Sequence, residues 1–113
     1  MSAPRLEIDL AKIAANARIL VERLAKRGIA VTGVTKGALG CPAIASALID
    51  AGVSGIGDSR IENVERMRAA LGTGPSITLI RSPMLNQADR VVRSADISFN
   101  TELSVVRRLS TAA

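Results

Sequence analysis

The sequence predicts an α/β fold in which short parallel strands alternate with amphipathic helices. Four apolar runs begin near residues 29, 53, 77 and 96, and a helical pattern follows each of them. A period of about 20 to 25 residues is typical of βα units, whose strands pair in parallel. The runs contain few polar residues, as expected of strands covered on both faces. Two architectures fit: an open doubly wound sheet, or about the first four βα units of a (β/α)8 barrel.

The first elements precede this series. Residues 6–10 alternate apolar and acidic side chains, which predicts a short half-buried strand. Apolar residues then recur at helical spacing over residues 10–24, and Gly28 follows a basic turn as a C-terminal cap. Residues 29–35, rich in Val and Thr, predict the first strand of the series.

The remaining units follow in order. Pro42 is suited to the first position of a helix that Gly52 can end, and residues 53–56 predict the next strand. Ser59-Arg60-Ile61-Glu62 fits a capping box at the start of a third helix. Further strands are predicted at residues 77–80 and 96–99, with helices over residues 87–93 and from residue 103.

Composition excludes several kinds of chemistry. The chain has 113 residues with no His, Tyr or Trp, and its single aromatic residue is Phe99. Without His, catalytic arrangements of the Ser-His-Asp and Cys-His kinds and the usual zinc sites are impossible within this chain, so no metal is expected. Lys, one Cys and carboxylates remain for proton transfer and nucleophilic attack.

Charge and hydropathy restrict the partners and the compartment. The net charge is +5, but the arginines are scattered over predicted outer helix faces and no aromatic platform accompanies them, so we expect no nucleic-acid partner. No apolar run reaches the ~18 residues that a membrane span needs. The N-terminus lacks a signal-peptide pattern and Cys41 has no partner for a disulfide, which favours the cytoplasm.

Lys36 is the most informative residue for function. It follows the predicted strand at residues 29–35, and ligands of α/β folds bind at the carboxyl ends of strands. Partial desolvation there favours the neutral amine, a nucleophile that forms Schiff bases with aldehydes. The alternative is a solvated lysine at the end of a strand.

Polar segments also follow the other strands, and in a parallel sheet they converge on the same rim as Lys36. These segments are residues 57–63, 81–84 and 100–102. Asp58 and Ser59 stand where helix amides can hold an anion, although turn and capping roles explain each segment taken singly. Cys41 is either a thiol at a helix N-terminus or a small buried apolar residue.

These residues together resemble a known family. Val31-Thr32-Gly33-Val34-Thr35-Lys36, followed by Gly40, resembles the lysine-bearing strand of fold-type III pyridoxal-phosphate (PLP) enzymes. Residues 57–63, 79–84 and 95–103 resemble the alanine/ornithine racemase branch of that group, as do residues 6–10 and Asn16. The resemblance covers essentially the whole chain.

The resemblance implies a PLP-dependent amino-acid racemase with an alanine-racemase-like (β/α)8 barrel, an isomerase of amino-acid metabolism. Lys36 would hold the cofactor as a Schiff base and transfer the Cα proton, while Arg81 and Asn100 would approach the cofactor ring or the substrate carboxylate. Residues 1–113 would be the N-terminal half of the barrel domain. The rest of the barrel and a C-terminal β region, which supplies a catalytic Tyr in alanine racemases, would be absent.

Whether the chain is itself an enzyme is left open. As a fragment it is expected to be weakly active or inactive, and its unpaired sheet edges favour homo-oligomers or complementation by a missing C-terminal part. Two other functions remain: a non-catalytic PLP-binding barrel protein of cofactor homeostasis, and a small βα scaffold or assembly module.

Overall fold

A computed structural model describes residues 2–113. Over these residues, five helices and four strands alternate after an irregular N-terminal segment. The elements are α1 (Leu10–Ala25), β1 (Thr32–Val34), α2 (Pro42–Asp50), β2 (Gly55–Asp58), α3 (Ile61–Leu71), β3 (Ser76–Leu79), α4 (Ala88–Ser94), β4 (Ile97–Ser98) and α5 (Leu103–Ala112). Single 3₁₀ turns at Lys36–Ala38 and Leu85–Gln87 precede α2 and α4.

The four strands form one parallel sheet in the order β1-β2-β3-β4. Thr32 lies opposite Gly55, Gly55 opposite Ser76, and Thr78 opposite Ile97. Each helix contacts the next one along the chain. A doubly wound sheet reverses its strand order at a switch point, whereas this order is sequential. The predicted α/β class is therefore confirmed, and of the two architectures the structure agrees with a partial barrel.

The core lies between the sheet and the helices. Ile56 and Ile77 of the sheet are fully buried and belong to one cluster with Val64 and Met67 of α3. On the opposite, inner face of the sheet, a Cβ atom built on Gly57 would meet methyl groups of Ile80, Thr32 and Val34. Val34 is 51% exposed on this inner face, so the chain forms two layers that are open on one side.

The strand predicted at residues 6–10 is wrong. In the part of the chain that the structure describes, residues 2–9 form no regular element, and Leu6 is 86% exposed. Asp9 is instead the N-cap of α1, since its Oδ1 accepts a hydrogen bond from the Lys12 amide at 3.1 Å. The alternating pattern pairs with no strand among residues 2–113.

The capping box predicted at Ser59 and Glu62 is also wrong. Helix α3 begins at Ile61 with Arg60 as its N-cap residue, and no side chain caps it from that position. The amide of Arg60 donates instead to Oδ1 of Asp58 at 3.0 Å. The buried carboxylate two residues before the N-cap therefore binds the N-cap amide itself, an arrangement that differs from a capping box.

Arg68 does not lie on a solvated outer face as its helical position suggested. Its side chain is only 16% exposed, and it donates to the carbonyl oxygens of Ser94, Gly72 and Pro75 at 2.9, 3.0 and 2.9 Å. It also pairs with Asp96 at 2.6 Å. This guanidinium therefore joins the end of α3 to the starts of β3 and β4.

No helix found between residues 2 and 113 combines the length and the apolar character that crossing a bilayer requires.

Candidate active site

Lys36 lies at the carboxyl end of β1, as predicted. The Thr35 amide donates to the Gly57 carbonyl at 3.0 Å, which extends the ladder one residue past the strand, and Lys36 then starts the 3₁₀ turn. Its side chain is exposed. The partial desolvation expected from the sequence is therefore not supplied by the residues that the structure describes.

The turn that carries Lys36 closes back on Thr35. The carbonyl of Thr35 accepts hydrogen bonds from the amides of Ala38 at 2.9 Å and Gly40 at 3.1 Å. Leu39 and Gly40 both have positive φ, 55° and 62°. Nη1 of Arg66 donates to the Leu39 carbonyl at 2.7 Å. The five residues after Thr35 thus form a closed loop that contacts α3.

A buried polar network lies beneath this loop. Asp58 is 0% exposed and accepts from three neutral donors. These donors are the Thr35 hydroxyl at 2.8 Å to Oδ2, with the Asn63 amide and the Arg60 backbone N–H each at 3.0 Å to Oδ1. All three donor distances are those of ordinary hydrogen bonds, so the buried carboxylate is satisfied from three directions.

Gly40 packs directly on the same network. A Cβ atom at this position would lie 2.5 Å from Cβ of Asn63 and 2.8 Å from its Cγ. Only glycine fits here, for steric reasons as well as for its positive φ. The C-terminal end of the Lys36 loop therefore packs against Asn63, which donates a hydrogen bond to Asp58.

Arg81 is exposed after β3 and lines a cavity of about 290 Å³. Arg60, Ser59 and Ser82 line the same cavity, which lies between the segments that follow β2 and β3. Neither Lys36 nor Asn100 is among its lining residues. Two arginines therefore line one cavity of the rim, and Lys36 lies outside that cavity.

Asn100 follows β4 and turns back on its own strand. Its Nδ2 donates to the Ser98 carbonyl at 3.1 Å and to the Ser98 hydroxyl at 3.0 Å. Its Oδ1 is buried and has no hydrogen-bond partner among residues 2–113. An unmade hydrogen bond of a buried acceptor costs free energy, so this atom is suited to accept from a bound group.

The structure brings all three candidate residues to one rim but not into one cavity. It also shows a cluster that the sequence pattern did not predict, formed by Thr35, Asp58 and Asn63. The signal was present, since Asp58 comes two residues after Ile56 and so faces the helices like that core residue. The amide of Arg60, at the helix start proposed to hold an anion, binds this carboxylate. Cys41 is the half-buried N-cap residue of α2 and makes no capping hydrogen bond.

Comparison with known proteins adds a family to this geometry. The model of the alanine racemase N-terminal domain matches residues 8–112. The chain is 40% identical to a lysine racemase of Thermotoga maritima over 96% of its length, and 32% identical to an ornithine racemase of Acetoanaerobium sticklandii over 97%. It spans 30% of the length of each of these relatives.

A solved structure supports the same fold. The D-threonine aldolase from Filomicrobium marinum superposes with a TM-score of 0.83 over 98% of this chain and 31% of the aldolase chain, at 19% sequence identity. At that identity the likeness concerns the fold alone.

Proposed function

The chain belongs to the family of alanine racemase N-terminal domains, and from this premise we propose that it supplies Lys36 as the lysine that binds PLP covalently in an amino-acid racemase. The observation that carries the proposal is the place of Lys36, exposed at the carboxyl end of β1 within the matched residues. The relatives named as lysine and ornithine racemases favour a small amino acid as the substrate.

Residues on the rim fit a bound PLP group. Lys36 offers an accessible amine, Asn100 an unpaired buried acceptor, and Arg81 a cation for the cofactor or for the substrate carboxylate. When bound, PLP withdraws electrons from Cα of an amino acid and so makes its proton acidic. In the proposed reaction the Lys36 amine removes this proton, or returns it, on one face of Cα.

Inversion needs a second proton-transfer group on the opposite face of Cα. The chain contains no His or Tyr that could serve. We therefore propose that residues 1–113 act as the N-terminal half of a (β/α)8 barrel, and that the second group comes from other barrel segments or a further β region. By itself the chain should show weak or no racemase activity.

A non-catalytic PLP carrier is the second candidate function. Covalent binding needs only Lys36, whereas racemisation needs two proton-transfer groups, and the chain contains no His or Tyr as the second one. We further propose a cytoplasmic setting, which suits the free Cys41, and self-association through the open side of the sheet.

Covalent labelling tests the central proposal. The full chain is incubated with PLP, reduced with borohydride and mapped by mass spectrometry. We expect the adduct on Lys36 and much less on Lys12 and Lys26, which serve as internal controls on the same molecule. Lys36→Ala should lose the adduct, whereas Lys26→Ala should keep it. Equal labelling of all three lysines would contradict the proposal.

Exchange of the α-proton in D₂O then separates the two candidate functions. Racemase chemistry predicts solvent deuterium in lysine, ornithine or alanine, dependent on Lys36, whereas a carrier predicts labelling without exchange. Rapid turnover by the isolated chain that disappears in Lys36→Ala would overturn our expectation of weak activity.

A further inference from the structure

We propose that Thr35, Asp58 and Asn63 are positioning residues that hold the backbone of the Lys36 loop in one conformation. The inference rests on the proposed function for what Lys36 does. It concerns a separate property, which is how the position of that lysine is set by groups that do not touch the reacting atoms.

The network is centred on the buried carboxylate of Asp58. Asp58 lies among core residues, where it is 0% exposed and its three hydrogen-bond donors are uncharged. Burying a carboxylate without a cation is costly, and apolar residues of similar volume often serve packing at least as well. Stability alone therefore does not account for an acid at this position. A carboxylate additionally imposes a geometry, because each of its hydrogen-bond donors must lie at a defined position around it.

The three donors come from the segments that determine where Lys36 lies. Thr35 immediately precedes Lys36, Arg60 precedes the first turn of α3, and Asn63 lies within that turn. The Thr35 hydroxyl also lies 3.5 Å from Sδ of Met67, one turn further along α3. Asp58 thus fixes the end of β1 relative to the start of α3.

Both ends of the loop are held by this network. At its start, the side chain of Thr35 binds Asp58 while its carbonyl accepts from Ala38 and Gly40. At its end, Gly40 packs against Asn63 with no room for a methyl group. A shift of the loop would therefore break hydrogen bonds to a buried carboxylate or create a clash.

A fixed backbone matters at this position because Lys36 itself is exposed. Its long side chain gains little order from packing, so the approach of its amine to an aldehyde depends on where Cα is held. Functional groups react faster when surrounding residues hold them near the productive geometry. The buried network of Thr35, Asp58 and Asn63 provides this support.

Thr35→Val is the direct test, because it keeps the shape of the side chain and removes the hydroxyl donor. Thr35→Ser retains the hydroxyl and is the rescue variant. Ile77→Val removes one methylene from the core of β3, distant from the loop in sequence, and controls for a general loss of stability. Asn63→Ala is a second variant of the network in case Thr35→Val does not fold.

Two readouts are needed for each variant of the full chain. Hydrogen exchange without PLP reports the Ala38 and Gly40 amides, which donate to Thr35. Labelling by PLP and borohydride reports the rate at Lys36 relative to Lys12 and Lys26. We expect Thr35→Val to speed exchange at both amides, and to lower the relative labelling rate of Lys36, by about fivefold each. Thr35→Ser and Ile77→Val should stay near the wild type.

The two proposals fail in different ways. Unchanged exchange and labelling in Thr35→Val and Asn63→Ala, with Lys36 still preferred in the wild type, would overturn the positioning role and leave the proposed function standing. Equal loss in Ile77→Val would also overturn it, since the effect would then follow global stability. If the wild type shows no preference for Lys36, the proposed function fails, and hydrogen exchange still decides whether the network holds the loop.

Discussion

The two glycines of the Lys36 loop differ sharply in whether they can be replaced by a residue with a side chain. Gly37 and Gly40 lie in the same loop, three positions apart, yet a Cβ atom on Gly37 would meet nothing within 4 Å. On Gly40 it would overlap Asn63, at a backbone φ of 62° that L side chains rarely adopt. The two glycines are therefore not equivalent.

Gly40→Ala should destabilise the protein strongly while Gly37→Ala should not. Left-handed backbone alone costs an alanine about 1–2 kcal/mol, and displacement of Asn63 adds to this cost. We expect a total loss of at least about 2 kcal/mol in the free energy of unfolding, measured by urea denaturation. For Gly37→Ala the change should lie within about 0.5 kcal/mol. A similar loss in both variants would show that the loop does not pack on Asn63.

At the scale of elements, the two ends of the sheet are organised by different carboxylates. Asp58 holds the carboxyl-end rim, where the function is proposed. At the opposite end, Oδ2 of Asp96 accepts from the Ile77 amide at 2.8 Å and from Arg68 at 2.6 Å. These contacts join β3, β4 and the end of α3. The hydrogen bond from Ile77 lowers the pKa of Asp96, burial opposes this shift, and Arg68 reinforces it.

This lowered pKa predicts a loss of stability in acid. A carboxyl group whose pKa is lower in the folded chain stabilises the fold above its unfolded pKa of about 3.9, and this contribution disappears as the pH falls through the folded value. We expect the urea midpoint of the wild type to fall below pH ~4 more steeply than that of Asp96→Asn.

Asp50→Asn is the matched control for this experiment, because it removes an exposed carboxylate at the end of α2 and the same formal charge. Its acid dependence should follow the wild type. If Asp96→Asn shows the same dependence as the wild type, the carboxylate does not contribute through the contacts described.

At the scale of the whole molecule, the chain is flat and open. Its radius of gyration is 15.7 Å, whereas a closed domain of this length has about 13 Å. Its extents are 48 × 45 × 24 Å, the smallest of which corresponds to one sheet and one layer of helices. The outer edges of β1 and β4 have no strand partner among residues 2–113. Such edges are sites of association between chains.

We therefore expect self-association that depends on protein concentration, measured by sedimentation velocity. Ile97 of β4 is 52% exposed and shares the inner face with its register partner Thr78. Ile97→Lys should weaken association because a charge on an edge strand opposes pairing. Leu6→Lys changes a residue that is 86% exposed outside the sheet and should have no such effect. Equal association in both variants would place the contact away from this edge.

The sequence by itself determined the order of the helices and strands from α1 onward, the parallel α/β class and the place of Lys36 after β1. These follow from hydrophobic periodicity and from glycine and proline positions, which act over a few residues. The tertiary structure decided those features that depend on contacts between residues distant in sequence. Residues 6–10 have a strand pattern but no strand beside them, and Arg68 has a surface pattern but meets carbonyl groups brought in by β3 and β4. Asp58, and not Ser59, accepts a hydrogen bond at the start of α3, because a carboxylate removed from water needs hydrogen bonds from protein donors in place of its hydration.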